Sequence, residues 1–345
     1  MNRAPAIIFL LVILVVVVTP ILTYLAWTPA KSISNSGKNL SAREFRFSYE
    51  LTVSSIPSNS GQIIIWMPVP ESNDYQKISD LKISSPYPYT TYQESEYGNR
   101  ILKIEAKGKV PETLLVSLEF KVRREAYSAL GRPVRVNQEV ARENLRRFLV
   151  PDLLVPISGP IKAEADKVVK QDMTSLQKAR AVYEYVSSRL TYDKSGTGWG
   201  RGDAVYACQV LAGNCTDFHS LFIGMARASG IPARFVMGFP VPEQRSSGEI
   251  GGYHCWAEFY LEGKGWIPVD ASEGNKHPEL REFYFGQLDA NRVEFTLGRD
   301  IQIDPQRRIE HLNYFIYPFV LVDGKVHQEI ETKFRFADLN PQNNP

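Results

Sequence analysis

Cysteine is scarce: the 345 residues hold three, Cys208, Cys215 and Cys255. So few in a chain this long exclude a disulfide framework, and an odd number leaves at least one thiol unpaired within the chain. An excess of one charge is also missing. The formal net charge is +2, with Lys and Arg scattered, so the chain lacks the basic patch needed to hold phosphates and no nucleic-acid partner is expected. Cys-x-x-Cys and His-Glu-x-x-His patterns are absent. Cys215, His219, His254 and Asp270 could together meet a zinc ion, but without such paired spacings no metal is expected. The Gly-rich run Ser195 to Gly202 (SGTGWGRG) has no Lys-Ser/Thr ending and no apolar strand before it. It reads as a surface loop near the site rather than a phosphate cradle. Nothing calls for a nucleotide, a redox cofactor or calcium, so no cofactor is expected.

Long apolar runs are lacking too, with one exception. Ala6 to Trp27 carries about twenty apolar residues and no charge, the length a helix needs to cross a bilayer. This exceeds the ~7–15 residues of a signal-peptide core, and Thr28-Pro29-Ala30 is a poor cleavage site. A retained single-pass anchor is expected over residues 1–30, with the rest outside the cytoplasm behind the short basic head at Arg3. Residues 31–43, rich in Ser, Asn, Gly and Lys, read as a tether.

From 44 to 150 the runs FRFSYELTV, QIIIWMPV, RILKIEAKG and LLVSLEFKV alternate between turn clusters and predict a β-sandwich without chemistry of its own. The Pro-rich VPDLLVPISGP closes it. A second domain, 160–340, opens with helical spacing over Ile161–Val169 and Ser175–Leu190. Its tail from Asn313, with an Asp-Gly turn between two strands, predicts a hairpin on the edge of the catalytic sheet.

The chemistry concentrates in two runs. In AGNCTDFHSLFIGMARASGIPARFVMGFP, Gly213 and Asn214 break the chain, and Phe218, Leu221, Phe222 and Met225 then recur at helical spacing. Cys215 therefore sits at a helix start, where free N–H groups and the dipole favour a thiolate. Asp217 suits a cap in that first turn. In GGYHCWAEFYLEGKGWIPVDAS, two strands flank a Gly-rich turn, with His254 on the first and Asp270 ending the second. Across such a ladder the pair suits a base and its orienter for a Cys215 nucleophile. Strand alternation would turn Cys255 away from His254 as a small buried hydrophobe. Trp256 and Trp266 read as core aromatics. Gln209 or the Trp199 indole could supply the oxyanion donor beside the Cys215 N–H.

The blocks GNCTDF, GIPARFVMGF, YHCWAEFYL and GWIPVDAS together resemble the core of the transglutaminase-like superfamily, relatives of papain-fold thiol enzymes, over about Thr174 to Gly274. The resemblance implies an α+β fold: a papain/transglutaminase-like catalytic domain preceded by a β-sandwich domain and an N-terminal transmembrane helix, as in membrane-anchored prokaryotic members. It assigns nucleophile, base and orienter to Cys215, His254 and Asp270. The expected activity is thiol-dependent acyl transfer on amide bonds of a peptide or protein substrate, foremost a cysteine peptidase or amidase. Alternatives are a cross-linking protein-glutamine gamma-glutamyltransferase and a non-catalytic membrane-tethered binding or scaffold protein.

Overall fold

Apolar residues alternate with polar ones through Ala42–Val53 (β1), and Phe45, Phe47, Tyr49, Leu51 and Val53 all point into one core, as period-two patterning requires. The computed structural model describes residues 42–131, 145–307 and 309–340, all within one compact unit, Asn39–Pro345. The apolar run Ala6–Trp27 and nearly all of the tether lie outside the described residues. Among the described residues no helix is long and apolar enough to cross a membrane. Ala42 and Arg43, expected in the tether, belong to β1. Arg43 is buried because its guanidinium meets Asp338 at 2.9 Å, Asn291 at 2.9 Å and the Arg245 carbonyl at 2.9 Å.

The strands following β1 are Gln62–Val69 (β2), Gln76–Ser84 (β3), Tyr89–Gln93 (β4), Arg100–Lys107 (β5) and Leu114–Glu125 (β6). The four expected runs are β1, β2, β5 and β6. They divide between two antiparallel five-stranded sheets that share a core. Helices follow at Pro160–Val168 (α1), Ser175–Arg189 (α2), Ala204–Val210 (α3) and Cys215–Ala228 (α4). Thr174 and Gln177 form a reciprocal cap at the start of α2, which fixes where that helix begins.

The catalytic-side sheet comprises Ala233–Pro240 (β7), His254–Leu261 (β9), Gly265–Val269 (β10) and Arg292–Leu297 (β11), in the order β10-β9-β7-β11. Ser247–Ile250 (β8) instead joins the sheet of β1, and a short helix, Ala271–Lys276 (α5), follows β10. The β9–β10 hairpin falls where the sequence places it, with Ala257 opposite Val269.

The C-terminal strands differ from expectation. Phe319–Val322 (β12) and Lys325–Val326 (β13) form the Asp-Gly hairpin, but β12 pairs with β2, and Ile330–Asp338 (β14) pairs with β1. The tail therefore completes the two sheets of the preceding β domain instead of extending the catalytic sheet. The physical reason is apolar matching across the ladder. Phe334 lies opposite Tyr49 and against Phe239, with ring centroids 4.6 Å and 4.2 Å away, so this strand closes the core between the β domain and β7.

Gly238 in β7 lies opposite His254 and beside a bulge in the pairing with β11. A Cβ there would run into the Val293 carbonyl oxygen, so glycine is required by close backbone approach rather than by its φ. Gly238→Ala should part the two strands at the foot of His254, costing about 1–3 kcal/mol and lowering Tm by roughly 2–8 °C. A thermal melt unchanged within error would contradict this.

Candidate active site

Helix α4 is buried from Cys215 to Arg227, all round rather than on the single apolar face the spacing suggests, and its polar residues are individually satisfied. Asn214 caps it, accepting from the Thr216 N–H at 2.9 Å. Asp217 accepts from the N–H groups of Asn214, Gly200 and Gly202 at 2.9, 2.7 and 3.0 Å. It caps the helix as expected and also draws the Gly-rich loop against the helix start. Ser220 accepts from the buried Arg299, and Arg227 donates to Asp152 at 2.7 Å. Cys215, at the first helical position, is 3 % exposed.

The structure brings Cys215, His254 and Asp270 together. The His254 Nε2 lies 2.7 Å from Asp270 Oδ2, and the imidazole is near enough to Cys215 for its charge to act on the thiol. Asp270 caps α5 as well: its Oδ1 accepts from Ser272 Oγ at 3.1 Å and the Glu273 N–H at 3.0 Å. Arg292 on β11 donates to Asp270 Oδ2 at 3.0 Å and to Asp289 at 3.0 Å. With four donors this fully buried carboxylate stays ionised: desolvation opposes its charge, but His254 and Arg292 hold it well below the usual carboxylate range.

Three residues that sequence patterns did not mark, or marked differently, complete the site. His219, four residues after Cys215, braces it from behind: Nδ1 lies 2.7 Å from the Cys215 carbonyl oxygen and Nε2 accepts the Ala271 N–H at 3.0 Å. Those partners require the neutral Nδ1–H tautomer, and burial pulls its pKa down, which agrees. Cys255 is buried as expected, yet it is no bystander. Its sulfur lies 3.6 Å from His219 Nδ1, and it is the first influence lowering the Cys215 thiol. Arg292 gave no signal at all, because nothing in its neighbourhood separates it from an ordinary strand cation. Asn214 Nδ2 donates to Tyr253 Oη at 3.1 Å, tying the residue before Cys215 to the residue before His254.

Of the two expected oxyanion donors, Gln209 is exposed on α3, whereas Trp199 is half-buried in the loop that Asp217 holds. Trp256 is fully buried, and Trp266 is half-buried against Phe148 and Tyr260.

Electrostatics favour a thiolate facing an imidazolium. The Cys215 thiol is held well below its ordinary range, first by the Cys255 hydrogen bond and then, against the cost of burial, by the hydrogen bond and charge of His254. Burial alone would pull His254 down, but the charge and hydrogen bond of Asp270 and the Cys215 sulfur outweigh it and push it up to about 10. The proton thus stays on Cys255, which burial raises, and not on Cys215. Cys208 is raised too, by burial and Glu164. Alkylation should therefore distinguish the three thiols: Cys215 reacts at a rate nearly flat from about pH 6 to 8, while Cys208 gains about tenfold per pH unit over that range as its thiolate fraction grows. Peptide mapping after timed iodoacetamide labelling checks this, and equal, slow labelling of all three would contradict it. His254 also sets a stability limit. A pKa raised on folding stabilises fully below the unfolded value near 6.5 and is lost as pH rises through about 10.

An α+β fold with a buried thiol beside an imidazole hydrogen-bonded to a buried carboxylate defines a narrow class. Residues 162–271 match the transglutaminase-like superfamily. It is 28% identical over 335 residues to an uncharacterized protein of Haemophilus influenzae, the match covering 85% of this chain and 89% of that protein. It is 28% identical over 159 residues to the uncharacterized protein YebA of Bacillus subtilis, covering 42% of this chain and 21% of YebA. Among solved structures it resembles that of a candidate cysteine protease from Cytophaga hutchinsonii, with a TM-score of 0.58 at 18% identity, covering 86% of this chain and 91% of that one. The last likeness shows the shared fold.

Proposed function

We propose that this protein is a thiol acyl-transfer enzyme acting on amide bonds of peptides or proteins, with Cys215 as nucleophile, His254 as general acid and base, and Asp270 as orienter. One observation supports the reading: a helix-start thiol, its pKa lowered in part by the charge of an imidazole that itself lies 2.7 Å from a buried carboxylate. The Cys215 thiolate attacks the amide carbonyl carbon, and the Cys215 backbone N–H helps to hold the oxyanion. His254 returns its proton to the departing amine as the C–N bond breaks, leaving a thioester. Water, deprotonated by His254, then releases the acid and regenerates the thiol. Hydrolysis is the reading we favour, so the protein is a cysteine peptidase or amidase. The apolar run Ala6–Trp27 would hold this site at a membrane, on the extracytoplasmic side.

The test incubates the full chain, or its Cys215→Ala variant, with a mixed peptide library and an added primary amine, and reads the products by mass spectrometry. New peptide termini or deamidated glutamines appearing with the native chain alone support hydrolysis. Amine adducts would move the assignment to transglutamination. Identical products from both proteins would remove catalysis and leave a binding module.

A further inference from the structure

A substrate amide must reach Cys215 and His254 together, and the residues just before these two are tied to each other: Asn214 Nδ2 donates to Tyr253 Oη at 3.1 Å. Tyr253 therefore stands at the edge of the site, and it does not stand alone. Two tyrosines of the segment before β12 pack on its ring, Tyr314 with centroids 5.7 Å apart and Tyr317 with centroids 6.0 Å apart and planes at 79°. Tyr314 Oη donates in turn to the Gly200 carbonyl at 3.4 Å, on the loop that Asp217 holds against the helix start. Tyr253 and Tyr314 are half-buried and Tyr317 is 37 % exposed, so the three rings make a corner with aromatic surface left open beside the site. We propose that Tyr253, Tyr314 and Tyr317 form a specificity subsite, which takes an aromatic side chain of the peptide next to the amide attacked by Cys215.

The corner itself selects the class of side chain. The hydroxyls of Tyr253 and Tyr314 meet an amide and a carbonyl of the protein, so what these residues leave to a ligand is ring rather than a donor or a charge. A planar ring set offset or edge-on against such walls gains contact beyond its burial, whereas a carboxylate or ammonium there would lose water without gaining a partner. The reach is short. A peptide advances about 3.3–3.6 Å per residue, and Tyr253 is the chain neighbour of His254 and lies 3.1 Å from the neighbour of Cys215. The recognised ring therefore belongs to a residue adjoining the scissile amide. Gly251 and Gly252 keep the approach open. A Cβ at Gly251 would meet open space, and at Gly252, with φ +155°, a Cβ would sit 3.9 Å from Tyr317 Oη. A side chain at Gly252 would stand over the corner, where glycine leaves room for a peptide backbone.

The inference rests on Cys215 being the nucleophile of the proposed function, and its test reads the thiol and the products separately. The full chain is labelled with iodoacetyl-phenylalanine amide or with iodoacetyl-alanine amide, and Cys215 and Cys208 are followed by peptide mapping. Cys215 should react about tenfold faster with the phenylalanine reagent, the scale of burying one ring against aromatic walls. Cys208, on α3, should react equally with both. Tyr317→Ser should bring the Cys215 ratio to about twofold or less, because one of the walls is gone, and Tyr317→Phe should keep it. In the peptide library, Phe, Tyr or Trp should be enriched beside the new terminus. Equal rates in the native chain, with Cys215 still the fastest thiol, would overturn the subsite and leave the acyl-transfer reading standing, as would a ratio that survives Tyr317→Ser. A Cys215 no faster than Cys208 with either reagent would remove both. The expected ratio in a chain that changes no library peptide would sink the acyl-transfer reading and leave the aromatic subsite.

Discussion

His254→Ala is expected to lower turnover by roughly 10⁴-fold or more, the scale at which loss of one member of a catalytic triad is measured in thiol and serine enzymes. The loss has two separable parts. Without the imidazole no group returns a proton to the leaving amine, and the Cys215 thiol loses one hydrogen bond and one positive charge that keep it ionised. The second part is visible without substrate: iodoacetamide labelling of Cys215 at pH 6 should collapse in the variant and recover only as pH rises. The hydrogen bond from Cys255 remains, so recovery should begin below the ordinary thiol pKa. Asp270 keeps Arg292 as a partner at 3.0 Å, so the fold should survive, as a thermal melt would show. Turnover within tenfold of the native chain would remove His254 from the mechanism.

Arg292→Leu should have the largest effect on stability, about 3–5 kcal/mol, because it leaves two buried carboxylates without their shared cation. Asp270 and Asp289 both bond this guanidinium, and leucine replaces its volume but none of its donors. The pH dependence gives the sign. In the native chain Asp270 has a depressed pKa, so its contribution is complete above the unfolded value near 4 and fades as pH falls through the lower, folded one. Removal of the cation takes away one of the charges that depress Asp270, while His254, the larger influence, remains, so the folded pKa moves only part of the way up toward the unfolded value. The gap in unfolding free energy between Arg292→Leu and the native chain should therefore hold between pH 8 and pH 5 and narrow below about pH 4, where the native chain loses its Asp270 contribution. A gap unchanged on acidification would mean that packing of the guanidinium against Trp256, with its carbon 5.1 Å from the ring centroid, matters more than its charge.

Cys215 also shows why a site can be read before its surroundings. The residues assigned roles sit in locally encoded elements: Gly213 and Asn214 break the chain and cap α4, and a Gly-rich turn sets the β9–β10 hairpin that places His254 and Asp270 16 residues apart within bonding distance. Alternation failed at Cys255 because it describes which face of a strand a residue takes, not what packs over the strand's first residues, where the start of α4 meets β9. His219 read as a ligand candidate because its spacing from Cys215 matched one. Its actual partners, a carbonyl on its own helix and an N–H of α5, are backbone groups that no residue pattern marks.

The sequence by itself determined the helix start that carries Cys215, the hairpin that carries His254 and Asp270, and the run of β strands before them, because each depends on short-range periodicity, capping and turn chemistry. Only the tertiary structure decided that Arg292 clamps Asp270, that Cys255 meets His219, and that the C-terminal strands close the first β domain. A buried cation finds its carboxylate, and a strand its edge, through contacts between residues tens to hundreds of positions apart, as Arg43 and Asp338 do. Such pairings are selected by complementary burial and satisfied hydrogen bonds in the folded core, which leave no period in the chain to read.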